Sequence, residues 1–185
     1  MRTTTIDTPI GPFTIVGRCK AVLASGFTAD AHELIGLIPP ATLAAEPTEA
    51  HLSDGDDVTD DATDLEPAVA AVRAYFDGDI AAIDTIEVEQ HGAGEFLDHA
   101  WEVLRAVPPG ETVTYQDFAT RAGRPAAIRA AASACARNAA ALFVPCHRIV
   151  RTDGGLGGYR YGLEIKRWLR AFEESGSSAH GETRS

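Results

Sequence analysis

Cys146 stands in the run Leu142-Phe143-Val144-Pro145-Cys146-His147-Arg148. A free cysteine inside a protein is ordinarily just a small apolar side chain. Three neighbours argue for more. His147 and Arg148 put potential positive charge beside the sulfur, which favours thiolate. Pro145 withholds a backbone donor and stiffens the approach. Leu142-Phe143-Val144 reads as a strand that delivers the thiol to a loop, a common seat of function. A cysteine with a histidine next to it suits covalent transfer to sulfur.

A histidine acting as base needs an orienting partner, and Glu173 is the candidate. In a helix expected over 162–174, Ile165, Trp168, Leu169 and Phe172 form the apolar stripe. Glu173 falls at the edge of that stripe, and Glu174 points to solvent. A carboxylate at a buried edge calls for a partner, and an imidazole serves well. Asn138 closes an arginine-bearing helix ahead of Cys146, and Tyr115 opens an earlier one. Helix terminator and core ring are their plainer readings. Cys135, in an alanine-rich helix, reads as packing. Cys19 and the remaining histidines lack ligand spacing, so no metal site is expected. Gly154-Gly155-Leu156-Gly157-Gly158-Tyr159 has no phosphate-loop lysine and reads as a pocket wall, with Tyr159 as a stacking face.

Several elements must position these residues. Residues 3–27 read as three short strands, with a turn at Pro9-Ile10-Gly11-Pro12. A short helix is expected over 30–38, stopped by Pro39-Pro40. Residues 46–64 read as an acidic flexible loop. Leu65, Val69, Val72 and Phe76 predict a helix ended by Gly78, and Thr85–Val88 a strand. Leu97, Ala100, Trp101 and Leu104 predict another helix, stopped by Pro108-Pro109-Gly110. Thr114-Tyr115-Gln116-Asp117 has the form of a capping box. Pro125 is expected as the first residue of a helix over 125–137. Helix, tight turn and helix make a helix-turn-helix pattern. The second of these helices is lined with alanine, which lets its backbone approach a partner helix or a DNA groove closely. Residues 175–185 read as a disordered tail.

The 185 residues carry a formal charge of −11. That balance argues against nucleic acid until its distribution is seen. Residues 1–99 hold 19 acids and 4 bases, whereas residues 100–185 hold 8 acids and 12 bases. Between 118 and 151 stand six arginines and no acid, a polyanion-binding stretch or a solvated face. The only lysines are Lys20 and Lys166. Such an acidic surface fits a salt-adapted host, or merely an acidic linker. Without an apolar run long enough for a bilayer or a signal-peptide core, the chain is placed in the cytoplasm, with its three cysteines as free thiols.

Together these residues resemble the O6-alkylguanine-DNA alkyltransferase family, the methylated-DNA–protein-cysteine methyltransferases. The resemblance runs from about residue 3 to residue 174. Its most specific part is Pro145-Cys146-His147-Arg148-Ile149-Val150. Pro108 to Tyr115, Arg129, Asn138, Gly157-Gly158-Tyr159 and Lys166-Arg167-Trp168-Leu169 leading to Glu173 support it.

The resemblance implies an α/β N-terminal domain over 1–88, of ribonuclease-H-like type with a small sheet. It implies a mainly α C-terminal domain over 89–174 with a winged helix-turn-helix-like motif. Cys146 would accept an alkyl group from O6-alkylguanine, with O4-alkylthymine as a further substrate. His147, oriented by Glu173, would take the thiol proton through a water. Asn138 would bond near the active-site turn, and Tyr115 would donate a proton to the departing guanine. Arg129 would fill the space left by the flipped nucleotide. Gln116, Arg124, Arg148 and Thr152 would join it in contacting DNA, and Tyr159 and Arg160 would wall the base. The partner would be double-stranded DNA carrying alkylated bases, met by a monomer without cofactor or membrane. A thioether offers water no easy leaving group, so one turnover per molecule follows. Arg160-Tyr161, where small residues are usual, would narrow the pocket. Alanines at 131 and 132 and Ala139 also depart from the family's pattern. A non-catalytic binder of alkylated DNA and a Cys-His hydrolase are the competing readings.

Overall fold

The structure, a computed structural model, describes residues 1–45 and 65–180, with side chains as far as residue 176. The expected acidic loop at 46–64 lies outside the described residues. Three strands, β1 (Arg2–Thr8), β2 (Gly11–Arg18) and β3 (Ala21–Gly26), form an antiparallel meander in the order β1-β2-β3. The threonine-rich β1 pairs with β2 from Arg2 opposite Gly17 to Thr8 opposite Gly11. It keeps alternate residues exposed, whereas β3 is buried throughout. Cys19 and Lys20, both at positive φ, make the tight turn between β2 and β3.

The outer edge of β3 meets the rest of the chain. Val22 bridges Val88 and Ser25 bridges Ala140, both in parallel sense. The strand expected at 85–88 is thus a single bridge, preceded by a 3-10 helix over Ile80–Thr85. The helix expected over 30–38 is shorter, α1 (Ala31–Ile35), and a second short helix that was not expected, α2 (Pro40–Ala44), follows it. Pro40 opens α2 rather than merely stopping α1, because proline suits the first helical turn.

Helix α3 (Glu66–Phe76) buries Val69 and Val72 as its stripe requires, and Gly78 at φ 109° turns the chain. Helix α4 (Glu95–Arg105) buries Ala100, Trp101 and Leu104. A two-residue strand, β4 (Val113–Thr114), pairs in parallel with β5 (Ile149–Val150). Thr114 caps α5 (Tyr115–Arg121) as expected, its hydroxyl accepting the Asp117 amide at 3.1 Å and donating to the Asp117 carboxylate at 2.7 Å, which takes the place of the reciprocal backbone bond of a full capping box. Helix α6 spans Ile128–Arg137, beginning three residues later than the sequence suggested. Pro125 lies in a turn closed by the Ala127 amide on the Arg124 carbonyl.

Helix α7 spans Leu163–His180. Residues 175–180, read from sequence as tail, therefore continue the helix. Gly176 lies so close to Ile80 that an added Cβ would meet its Cδ1 at 2.3 Å. One hydrophobic core joins both halves of the chain, from Phe13 and Ile15 through Val72 to Leu104, Phe118 and Leu169. Among the described residues, no helix is long and apolar enough to cross a membrane.

Candidate active site

The expected strand at Leu142-Phe143-Val144 is a turn. The Val144 amide donates to the Ala140 carbonyl, and Leu142 adopts φ 74°, unusual for a side chain with a Cβ. All three residues are buried, so the apolar run signalled burial rather than a ladder. The turn delivers Pro145 to a 3-10 helix, Cys146–Arg148, from which the three site residues diverge.

Cys146 is partly exposed in a cavity of about 340 Å³, with Tyr115, Cys135, Asn138, Tyr159 and Tyr161 among its walls. Asn138 caps the end of α6, as expected, and does more. Its Nδ2 donates to the Val144 carbonyl at 2.7 Å and to Cys146 Sγ at 3.3 Å, and its Oδ1 accepts the Ala140 amide. It therefore holds both the turn and the sulfur. Burial pushes the Cys146 thiol pKa up, opposed by the Asn138 donor and by Lys166.

His147 is fully buried. Its Nε2 donates to Glu173 Oε1 at 2.9 Å, whereas its Nδ1 is buried without a partner among the described residues. Glu173 also accepts Tyr75 Oη at 2.9 Å, Arg148 Nη2 at 2.8 Å, Arg148 Nε at 2.9 Å and the Gly110 amide at 3.4 Å. Burial lowers the His147 pKa, and the carboxylate only partly opposes this. Burial works against ionised Glu173 too. The donors on its oxygens outweigh that and hold its carboxyl well below the usual range. With the imidazole neutral, we attribute this chiefly to the Arg148 guanidinium.

Arg148 corrects the sequence reading. It is 1% exposed, with its Nη1 donating to the Val107 carbonyl, so it cannot contact DNA. Nor does it put charge beside the sulfur, because its guanidinium is spent on Glu173. Lys166 takes that part instead. It is wholly buried and donates Nζ to the carbonyls of Ile149 at 2.6 Å and Gly158 at 3.2 Å. Tyr75, Gly110 and Lys166 were not found by sequence reasoning as parts of the site. They come from distant segments, and no local pattern marks their convergence.

The wall expected from 157–159 forms. Gly157 has φ 70°, and a Cβ there would meet the Tyr115 ring at 2.9 Å. Only glycine lets the loop lie this close to Tyr115. Burial raises the Tyr115 pKa to about 12. Arg160 is exposed and donates to the Ala136 carbonyl at 2.8 Å, bridging the loop to the end of α6. Tyr161 bonds the Ser25 carbonyl at 3.2 Å, and a Cβ on Gly26 would strike its hydroxyl. Ser25 also bonds Ala139 and Ala141, tying the sheet to the segment before Cys146.

Gln116, Arg124, Arg129 and Thr152 are exposed. Arg124 lies over the Phe96 ring at 4.7 Å. Arg121 and Arg151 pair with Glu111 and Asp153. Arg124, Arg129 and Arg137 thus remain as exposed cations on and beside α6. No group of acids, histidines and cysteines among the described residues could hold a metal ion.

A family model described as the 6-O-methylguanine DNA methyltransferase DNA-binding domain matches residues 95–175. The methylated-DNA–protein-cysteine methyltransferase of Mycobacterium tuberculosis is 32% identical over 175 residues, covering 95% of this chain and 93% of that protein. This chain belongs to the methylated-DNA–protein-cysteine methyltransferase family. The crystal structure of Mycobacterium tuberculosis OGT in complex with DNA is 30% identical, with a TM-score of 0.69, covering 94% of this chain and 93% of that one. The regulatory protein Ada of Salmonella typhimurium is 44% identical over 110 residues, which are 56% of this chain and 31% of that protein. The methyltransferase family is therefore matched over nearly full length, and Ada over a part.

Proposed function

We propose that this protein repairs DNA by moving an alkyl group from guanine O6 to Cys146, once and irreversibly. The observation that carries this reading is the buried His147–Glu173 pair beside a thiol that opens on a base-sized cavity. At neutral pH the thiol is protonated, because burial raises its pKa. A base must remove that proton, and His147 Nδ1 is the one nitrogen of the ring left to accept it. A water between Nδ1 and Sγ would carry the proton.

The thiolate attacks the alkyl carbon. A sulfur–carbon bond forms as the carbon–oxygen bond to guanine breaks, and Tyr115, held protonated by its raised pKa, donates to the departing base. The thioether then blocks further turnover. O4-alkylthymine presents the same kind of oxygen-bound carbon and is the second substrate class.

The target carbon is out of reach within a duplex, so the nucleotide must leave the stack at a cost of a few kcal/mol. We assign α5 and α6 to a helix-turn-helix that meets double-stranded DNA, with the small meander as the ribonuclease-H-like scaffold behind it. Arg129 fills the vacated space. Gln116, Arg124 and Thr152 supply surface contacts, and Tyr159 and Arg160 bound the extruded base. The protein acts as a monomer and spends only its own cysteine. Its excess of acids and its two lysines suit a salt-rich cytoplasm; full activity in low salt would contradict that assignment.

The deciding experiment incubates the protein with duplex DNA carrying labelled O6-methylguanine. One label per molecule, located on Cys146 by peptide mass, is expected. Tight binding with an unmodified Cys146 would instead establish a non-catalytic binder. Repeated turnover on an ester without alkylated cysteine would establish a hydrolase.

A further inference from the structure

Taking the repair reaction above as given, we propose that Tyr75 is a positioning residue, whose hydroxyl fixes Glu173 and thereby the orientation of His147. Tyr75 lies on α3, in the N-terminal half, far in sequence from Cys146. Its side chain is fully buried, with Oη 2.9 Å from Glu173 Oε1. The same oxygen accepts His147 Nε2 and Arg148 Nη2. Oε2 takes Arg148 Nε and the Gly110 amide. Five donors from three directions therefore hold one carboxylate.

His147 and Arg148 are chain neighbours and approach together. Tyr75 is the side-chain donor that arrives from another element. Its ring packs edge-on to Phe76 at 5.2 Å and tilted to Phe172 at 5.6 Å, which fixes where the hydroxyl points. Without that hydroxyl, the donors left to Oε1 among the described residues come only from the Cys146 turn. The carboxylate gains freedom to rotate, and more of its charge falls on His147 Nε2.

That change favours imidazolium. The groups facing His147 are Glu173 and Lys166 on α7, Cys146 and Arg148 on its own turn, and Tyr75 reaching the shared carboxylate from α3. Arg148 and Lys166 disfavour a second positive charge, and Glu173 favours it. Tyr75 takes up part of the carboxylate's acceptor capacity and so belongs with the groups that keep His147 neutral.

Tyr75→Phe keeps the ring and removes only the donor. In the full chain it should slow single-turnover methyl transfer at neutral pH about tenfold, the scale of one hydrogen bond to a charged group. The acid limb of the pH–rate profile should move upward, as should the midpoint of the His147 ring-nitrogen NMR titration. Val69→Ala, which trims the buried stripe of the same helix six residues before Tyr75, should lower stability and leave both midpoints in place. A Tyr75→Phe protein with wild-type midpoints would overturn the assignment, even if less stable. If the wild type failed to alkylate Cys146, the repair reading would fail, and the NMR titration would still decide the role of Tyr75.

Discussion

Arg148 lies against Glu173 through two near-parallel donors, Nε at 2.9 Å and Nη2 at 2.8 Å, with both side chains 1% exposed. Removing one partner of such a pair strands the other charge in the interior, at about 3–5 kcal/mol. Arg148→Ala should therefore lower unfolding free energy by about that amount in a denaturant titration. Binding to duplex DNA, measured on the fraction still folded, should keep the wild-type salt slope. A shallower slope would mean that Arg148 does reach phosphate.

The same cluster sets the response to acid. A histidine whose folded pKa lies below its unfolded value leaves the native state short of a proton as pH falls through 6.5, so stability drops there. Glu173 has a folded pKa below its unfolded value of 4.5, and its contribution is lost as pH falls further, below about 4.5. Thermal unfolding should show a decline from pH 7 to pH 5 and a steeper one below. His147→Gln should flatten the first decline and keep the second. An unchanged first decline would place its source elsewhere.

Much of this site was legible because its residues carry local signals. Cys146, His147 and Asn138 cluster within ten positions, and Glu173 showed itself as a carboxylate at the edge of an apolar stripe. The stripes of α3 and α4 and the cap of α5 were read from spacing alone. What failed was long-range. Arg148 looks like any arginine in a basic run until the fold buries it against Glu173. Leu142-Phe143-Val144 has strand-like residues, but Leu142 turns at positive φ, and periodicity over three positions cannot separate strand from buried turn. Gly26 gave no sign that its missing side chain makes room for Tyr161, because the two are brought together only by folding.

We expect that pairing of Gly26 with Tyr161 to limit adduct size. Tyr161 walls the cavity from one side, braced by Phe27 at 5.9 Å, Tyr159 at 5.6 Å and the Ser25 carbonyl. Tyr161→Ala should open the wall and speed reaction with O6-benzylguanine relative to O6-methylguanine. The measurement is the ratio of single-turnover rates on the two free bases, which removes DNA binding from the comparison. A ratio equal to the wild type's would show that another wall limits the adduct.

Arg129 and Arg148 make opposite predictions from the same residue type. Arg129 is exposed near the start of α6, with the small Ala130 and Ala132 half-buried beside it and Ala131 turned into the core. The extrusion role proposed for Arg129 requires the duplex and not the free base. Arg129→Ala should therefore slow repair of duplex O6-methylguanine by about tenfold or more, the scale of a lost contact of 1–3 kcal/mol. It should leave reaction with free O6-alkylguanine within about twofold, because it lies outside the pocket walls. Raising salt should weaken the wild type and the variant in parallel if Arg129 acts mainly as a wedge, since screening acts on phosphate contacts. Equal losses on duplex and free base would remove Arg129 from the extrusion step and assign it to the fold.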